Sequence, residues 1–383
     1  MTANQRHIRI GRLWGLLSLA LAVMLLASCT PAASTSSPTA TSGTTPTTAQ
    51  PAPTGTPSQT RLINGAGATF PYPLYSKLFD EYTKVVPWVR INYQSVGSGA
   101  GIQQISQQTV DFGASDAPLT DDQLKAAPAA LVHIPMTMGP VVIIYNLQGV
   151  STGLKLTSDV VAGIFLGTIT KWNDAKITSQ NPGVSLPDQV VTSVHRSDGS
   201  GTSAIFTDYL SAIDATWKST IGKGTSVNWP GGLGAKGNEG VAGQVQQLPG
   251  SVGYVELAYA AQNKMPFASI KNKDGNFVAP SLEATTAAAA GSVSTMPDDM
   301  RVSIVNASGK DAYPISGYTY IILYQAQTDQ AKGKAVVDFL WWATHDGQKF
   351  GNALLYSTLP AEVVKKVEAK LKTITYNGKA YIN

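Results

Sequence analysis

The chain is 383 residues long, with 43% hydrophobic and 14% charged side chains, enough apolar material for a well-buried core spread over two domains. Its formal charge of +4 gathers at one end, because Arg6, Arg9 and Arg12 stand in a leader without acidic residues and the remainder is close to neutral. This balance excludes a basic stripe for nucleic acid and a chain disordered throughout, so any anion has to be caught by local groups.

Residues 1–28 combine a basic start, an apolar run over 13–27 and small residues before Cys29, which reads as a secretory signal and not a spanning helix. Leu26-Ala27-Ser28-Cys29 resembles the bacterial lipoprotein signal, in which the cysteine receives acyl chains such as palmitate and becomes the new N-terminus. The alternative is an ordinary cleaved signal that happens to contain a cysteine. Cys29 is the only cysteine, so the body holds neither disulfides nor cysteine-rich metal sites. Residues 29–60 form the lipidated Cys29 and a Ser/Thr/Pro linker without a single charge, too polar to repay the entropy of folding. A flexible tether of this length spans on the order of 30 Å.

From residue 61 onward short apolar runs alternate with amphipathic stretches, the pattern of an α/β body. Strands are expected over 90–96, 111–114, 141–145, 190–195, 252–255 and 318–324. Helices are expected over 73–82, 101–108, 120–125, 202–211, 240–247, 332–343 and 361–371, with a capping box between Thr120 and Gln123. Trp341 and Trp342 fall inside one of these helical patterns, so they read as buried packing and not as a membrane surface.

Three segments share one design, in which a strand ends, glycine or serine follows and a helix begins. They are Gly65-Ala66-Gly67-Ala68-Thr69-Phe70-Pro71, Gly97-Ser98-Gly99-Ala100-Gly101 and Gly199-Ser200-Gly201-Thr202. A helix start leaves its first N–H groups without carbonyl partners and carries a partial positive charge, so hydroxyls and glycines there can surround a small oxyanion. Arg196, just upstream of the third segment, adds a full charge and a planar fork. Any one such turn is common structural punctuation; the combination carries the signal. Asp116, at the end of Asp111-Phe112-Gly113-Ala114-Ser115-Asp116, reads by itself as a helix cap, since Pro118 and Thr120 also suit a helix start.

These segments, together with Leu233-Gly-Ala-Lys-Gly-Asn238 and Gly250-Ser-Val-Gly-Tyr-Val255, closely resemble the phosphate-binding proteins of bacterial phosphate ABC transporters, over nearly everything from residue 61 onward. The resemblance implies an α/β, two-domain fold of the type II periplasmic-binding class with the ligand in the cleft between domains. The expected division is 61–137 plus 320–383 for one domain and 138–319 for the other, with hinge crossings near 136–139 and 316–320. It also implies that Thr69, the Phe70 N–H, Ser98, Asp116, Arg196, Ser200, Gly201 and Thr202 hold phosphate, while Asp198 orients Arg196. Some relatives carry a serine where Gly99 stands and a basic residue where His195 stands, which leaves the number of hydrogen bonds open. The implied function is extracytoplasmic capture of inorganic phosphate by a lipid-anchored monomer and delivery to the membrane subunits of an ABC permease. No catalysis, metal or cofactor is implied.

Two other readings remain. A secreted phosphate-ester hydrolase would use Ser200 as a nucleophile, but the pentapeptide centred on it, Asp198-Gly199-Ser200-Gly201-Thr202, lacks the Gly-x-Ser-x-Gly arrangement. His133, His195 and His345 are isolated and match no metal-binding spacing, and Lys236 belongs to no phosphate-cradling loop motif. A receptor for another tetrahedral oxyanion, such as sulfate, would explain the three turns but not a carboxylate beside them.

Overall fold

The computed structural model describes residues 59–382. The signal segment, Cys29 and nearly all of the linker lie outside the described residues. The described body opens with three strand–helix units: β1 (Arg61–Gly67), α1 (Tyr72–Val85), β2 (Val89–Ser95), α2 (Ser98–Ser106), β3 (Phe112–Ser115) and α3 (Asp121–Ala126). β1 lies in parallel between β2 and β3. α1 forms because Leu74, Tyr75, Leu78, Phe79 and Tyr82 recur at helical spacing and bury one face against this sheet. Burying an aromatic such as Phe79 contributes roughly 1.5–3 kcal/mol.

β4 (Leu131–Tyr145) then carries the chain through the middle of the molecule with all fifteen residues buried. The next stretch holds β5 (Lys155–Leu156), α4 (Ser158–Leu166), α5 (Ala175–Thr178), β6 (Thr192–Arg196), α6 (Gly201–Ile213), α7 (Ala215–Thr220) and β7 (Leu233–Ala235). It continues with α8 (Gly237–Gln247), β8 (Ser251–Glu256), α9 (Leu257–Gln262), β9 (Ser269–Lys271), β10 (Phe277–Val278) and α10 (Leu282–Ala290). β11 (Ser316–Tyr324) returns, and β12 (Ala326–Gln327), α11 (Gln330–Thr344), α12 (Ala361–Leu371), β13 (Thr375–Tyr376) and β14 (Lys379–Ala380) complete the body.

Eight strands make one sheet in the order β2-β1-β3-β11-β4-β8-β6-β7. β4 belongs to both halves of it: residues 131–140 pair antiparallel with β11, and 141–145 pair antiparallel with β8. β6 lies in parallel between β8 and β7. The first half therefore presents the C-terminal ends of β1 and β3, the second half that of β6, and the two face each other across the β4–β11 crossing.

The expected strand over 141–145 is the second half of a strand that begins ten residues earlier. Pro135, Gly139 and Pro140 read as breakers in the sequence, yet Pro135 sits opposite Tyr320, where the β11 register shifts and a ladder hydrogen bond is already interrupted. α2 begins at Ser98, three residues before the expected start, because the glycines there permit contact and not because they break the helix: a Cβ on Gly101 would stand 2.6 Å from the Gly67 Cα. β1 is the strand expected to end at the 65–71 turn, while α4 and α10 were not among the expected elements; α10, Ala- and Thr-rich, has no apolar stripe to announce it. The Thr120–Gln123 capping box is present at α3. Trp342 packs on Tyr82 with ring centroids 5.3 Å apart, while Trp341 stacks on His345 at 4.5 Å.

Candidate functional site

The three glycine-rich turns place the starts of α1, α2 and α6 around one buried point between the sheet halves. β1 ends at Gly67, and Thr69 and Phe70 lead into α1 through Pro71. Gly97 precedes α2 with φ 98°, a conformation open to glycine, and any Cβ there would stand 2.3 Å from Asp198 Oδ2 in the opposite half. Ser200 caps α6 by accepting the Ser203 N–H at 3.0 Å. Gly201 follows as the first helical residue, and a Cβ on it would stand 2.5 Å from both Asp116 Oδ2 and Ser98 Oγ. The two halves also join through their backbones, the Gly99 N–H donating to the Gly199 carbonyl at 2.8 Å.

Each residue implied to hold phosphate lies here. Thr69, Phe70, Ser98, Asp116, Arg196, Ser200 and Thr202 are all buried, as is Gly201. Asp116 follows β3 directly, and Thr120, not Asp116, caps the next helix. Its Oδ1 accepts the Thr319 hydroxyl at 2.8 Å, and its N–H donates to Ser98 Oγ at 3.3 Å. Arg196 ends β6, its Nε and Nη2 donating to the two carboxylate oxygens of Asp198 at 2.8 and 2.5 Å and its Nη1 to Thr202 Oγ1 at 3.4 Å. Neither the Phe70 nor the Gly201 N–H donates to a backbone acceptor among the described residues.

Burial sets the electrostatics. It pushes the Asp116 carboxyl up to about 7, against the lowering effects of the Thr319 hydrogen bond, the Arg196 charge and Ser98. Burial alone would raise Asp198 too, but hydrogen bonds and charge from Arg196, with the Gly237 N–H, hold it below the usual carboxylate range. The site therefore contains one firmly ionised pair and one carboxyl close to its midpoint at neutral pH. Such a set can receive a small oxyanion through hydroxyls, N–H groups and a guanidinium, and can accept a proton that the anion carries.

Several participants escaped the sequence reading. Asn238, within a quoted motif but given no role, lies in the first turn of α8 and donates from Nδ2 to Thr69 Oγ1 at 2.8 Å and to Thr202 Oγ1 at 3.1 Å, tying the halves together. Its place after Gly237 at a helix start is the signal that marked the other three turns. Thr319, one hydroxyl in an apolar strand, has no comparable signal. Tyr259 donates to the Thr69 carbonyl at 2.6 Å.

The ingredients of a hydrolase are not assembled at Ser200. His195 stacks on Trp229 at 4.8 Å, and the His133 ring accepts the Leu119 N–H. His345 contacts Glu368. No histidine hydrogen-bonds Ser200 among the described residues, and no group of three or more potential metal ligands occurs among them.

A family model described as a PBP superfamily domain matches residues 34–345. The phosphate-binding protein PstS of Xylella fastidiosa (strain 9a5c) is 49% identical over 308 residues, spanning 80% of this chain and 84% of that protein. PstS of Pasteurella multocida (strain Pm70) is 45% identical over 317 residues, 82% of this chain and 91% of that one. Among solved structures, a phosphate-binding protein from Stenotrophomonas maltophilia superposes with a TM-score of 0.64 at 22% identity, covering 84% of this chain and 96% of that one. A periplasmic phosphate-binding protein, PfluDING, bound with phosphate, gives a TM-score of 0.65 at 22% identity, covering 83% and 96%. At that identity the structural likeness speaks for the fold, a two-domain α/β periplasmic-binding architecture, while the sequence identities speak for kinship. The chain belongs to the PBP superfamily and, within it, to the PstS family of phosphate-binding proteins.

Proposed function

We propose that this protein captures inorganic phosphate outside the cytoplasmic membrane and delivers it to the membrane subunits of an ABC transporter, performing no chemistry on it. The observation that carries this reading is Asp116, a buried carboxyl set among donors at the junction of the two halves. A site for any anion would need donors alone. Phosphate near neutral pH keeps at least one proton and can donate it to Asp116; sulfate has none and would set lone pairs against a negative oxygen. Juxtaposing like charges costs several kcal/mol, and about 4 kcal/mol corresponds to roughly a thousandfold preference.

In this reading Thr69, the Phe70 N–H, Ser98 and Asp116 hold phosphate from one side, and Arg196, Ser200, Gly201 and Thr202 from the other. Asp198 keeps the guanidinium in place. Residues 61–137 with 320–383, and residues 138–319, act as two domains that close on the ligand, since only the closed form offers every contact. The change of pairing partner along β4 between Pro140 and Val141 supports a hinge there. The cleft left open beside Asp116, about 440 Å³ and bordered by Thr225, Ser226 and Arg301, offers phosphate a way in. Acylation of Cys29 anchors the protein, a monomer, and residues 30–60 let its body reach the permease. Calorimetric titration of residues 61–383 with phosphate and with sulfate tests the reading: phosphate should bind and sulfate should not, and equal uptake of both rules it out.

A further inference from the structure

Directly behind the Thr69–Phe70 corner lies a carboxyl group that the binding site does not use. Glu256, the last residue of β8, is fully buried, and its Oε1 has no hydrogen-bond partner among the described residues. Its Oε2 accepts the Ala258 N–H at 2.8 Å and lies 2.9 Å from the Tyr356 hydroxyl oxygen. That same hydroxyl oxygen is 2.7 Å from the Phe70 carbonyl oxygen. Tyr356 brings one proton, and a carbonyl oxygen can only accept. Were Glu256 ionised, two acceptors would compete for one hydrogen, and one pair of lone-pair oxygens would meet at hydrogen-bond distance with nothing between them. A buried carboxylate with one oxygen bare and no cation bonded to it is also strongly disfavoured.

We propose that Glu256 is a neutral carboxylic acid that donates its proton to the Tyr356 oxygen, so that Tyr356 donates to the Phe70 carbonyl and fixes Phe70 from the peptide that follows its ligand-facing N–H. Glu256 is thereby a positioning residue that spans the hinge. The residue supports the site by a second route as well, its N–H donating at 2.9 Å to Oδ1 of the same Asn238 that grips Thr69 and Thr202. The surroundings agree. Burial pushes the Glu256 carboxyl well above the usual range, opposed by the backbone hydrogen bond from Ala258 and reinforced by the nearby Asp116 carboxyl. Burial likewise raises the Tyr356 hydroxyl, so the tyrosine keeps its own proton. The ring of Phe70 is held from the other side by strand β4: a Cβ on Gly139 would stand 2.8 Å from its Cζ and 3.4 Å from Glu256 Oε1.

The inference rests on Phe70 being part of the phosphate site, so its test begins without phosphate. Wild-type protein carrying ¹³C-carboxyl glutamate, examined by isotope-edited infrared spectroscopy at about pH 8, should show the carbonyl stretch of one protonated glutamate, absent from Glu256→Gln. A spectrum holding only ionised glutamate overturns the proposal whatever the protein binds. Calorimetry then tests positioning. Tyr356→Phe should weaken phosphate binding about tenfold, one hydrogen bond's worth. Glu256→Gln, whose amide still donates to Tyr356, should stay within about threefold of wild type. Loss as large in Glu256→Gln as in Tyr356→Phe, or no loss in Tyr356→Phe, overturns the positioning role. Failure of wild type to bind phosphate would instead refute the phosphate reading and leave the infrared result standing.

Discussion

Asp198 holds Arg196 by two parallel hydrogen bonds, Nε to Oδ1 and Nη2 to Oδ2, while its own Oδ1 receives the Gly237 N–H at 3.1 Å. The guanidinium is thus fixed in its plane with Nη1 left toward Thr202. A buried charge pair of this kind is held by geometry more than by net attraction, and removing one partner strands the other. Arg196→Ala should therefore lose at least about tenfold in phosphate affinity, about 1.4 kcal/mol. Asp198→Asn, which keeps the shape but gives up one acceptor and the charge, should lose less than Arg196→Ala. A calorimetric series in which Asp198→Asn binds as wild type does would show that the pair does not orient the arginine.

Gly201→Ala tests the contact between the halves. Its methyl group would collide with Asp116 Oδ2 and Ser98 Oγ, both fixed by burial and hydrogen bonds. Closure should fail, and phosphate binding should fall by more than about a hundredfold. Retained affinity would mean that the halves need not approach so closely.

Asp116 should make the ligand-free protein sensitive to pH. Its carboxyl is raised from an ordinary value of 3.8 to about 7 by burial, so the folded form prefers the neutral acid. The associated stability is present in full below about pH 4 and is lost as pH rises through about 7. Asp116→Asn removes this term. Without phosphate it should melt above wild type at about pH 8 and level with it at about pH 4, by at most about 4 kcal/mol. Parallel melting curves at both values would contradict the raised carboxyl.

The same titration predicts how selectivity varies. Below about pH 7 Asp116 acquires a proton and becomes a donor that a sulfate oxygen can accept. Sulfate affinity should rise as pH falls from about 8 to about 5, while Asp116→Asn should show little such dependence. Competition titrations across that range check this, and a flat sulfate profile in wild type would count against it.

The turns at 65–71, 97–101 and 199–202 were readable because a glycine-rich strand-to-helix junction leaves a local record: small residues, a hydroxyl and the start of an apolar period. Asp116 was readable only through family likeness, since an aspartate before Pro118 and Thr120 resembles any helix cap. Thr319, Glu256 and Tyr356 left no record, because what brings them beside the site residues is the crossing of β4 and β11 and long-range packing around it. Likewise the first half of β4 was hidden by its prolines and glycine, whose strand conformation comes from being flanked by β11 and not from local preference. Local chemistry was legible; distant pairing was not.

The most direct measurement is calorimetric titration of wild type and Asp116→Asn with phosphate and sulfate at about pH 8. If Asp116 reads the proton on the ligand, wild type should prefer phosphate by about a thousandfold or more, and Asp116→Asn should narrow that preference by at least about tenfold. A wild type that takes both anions equally, or a variant whose preference is unchanged, would contradict it.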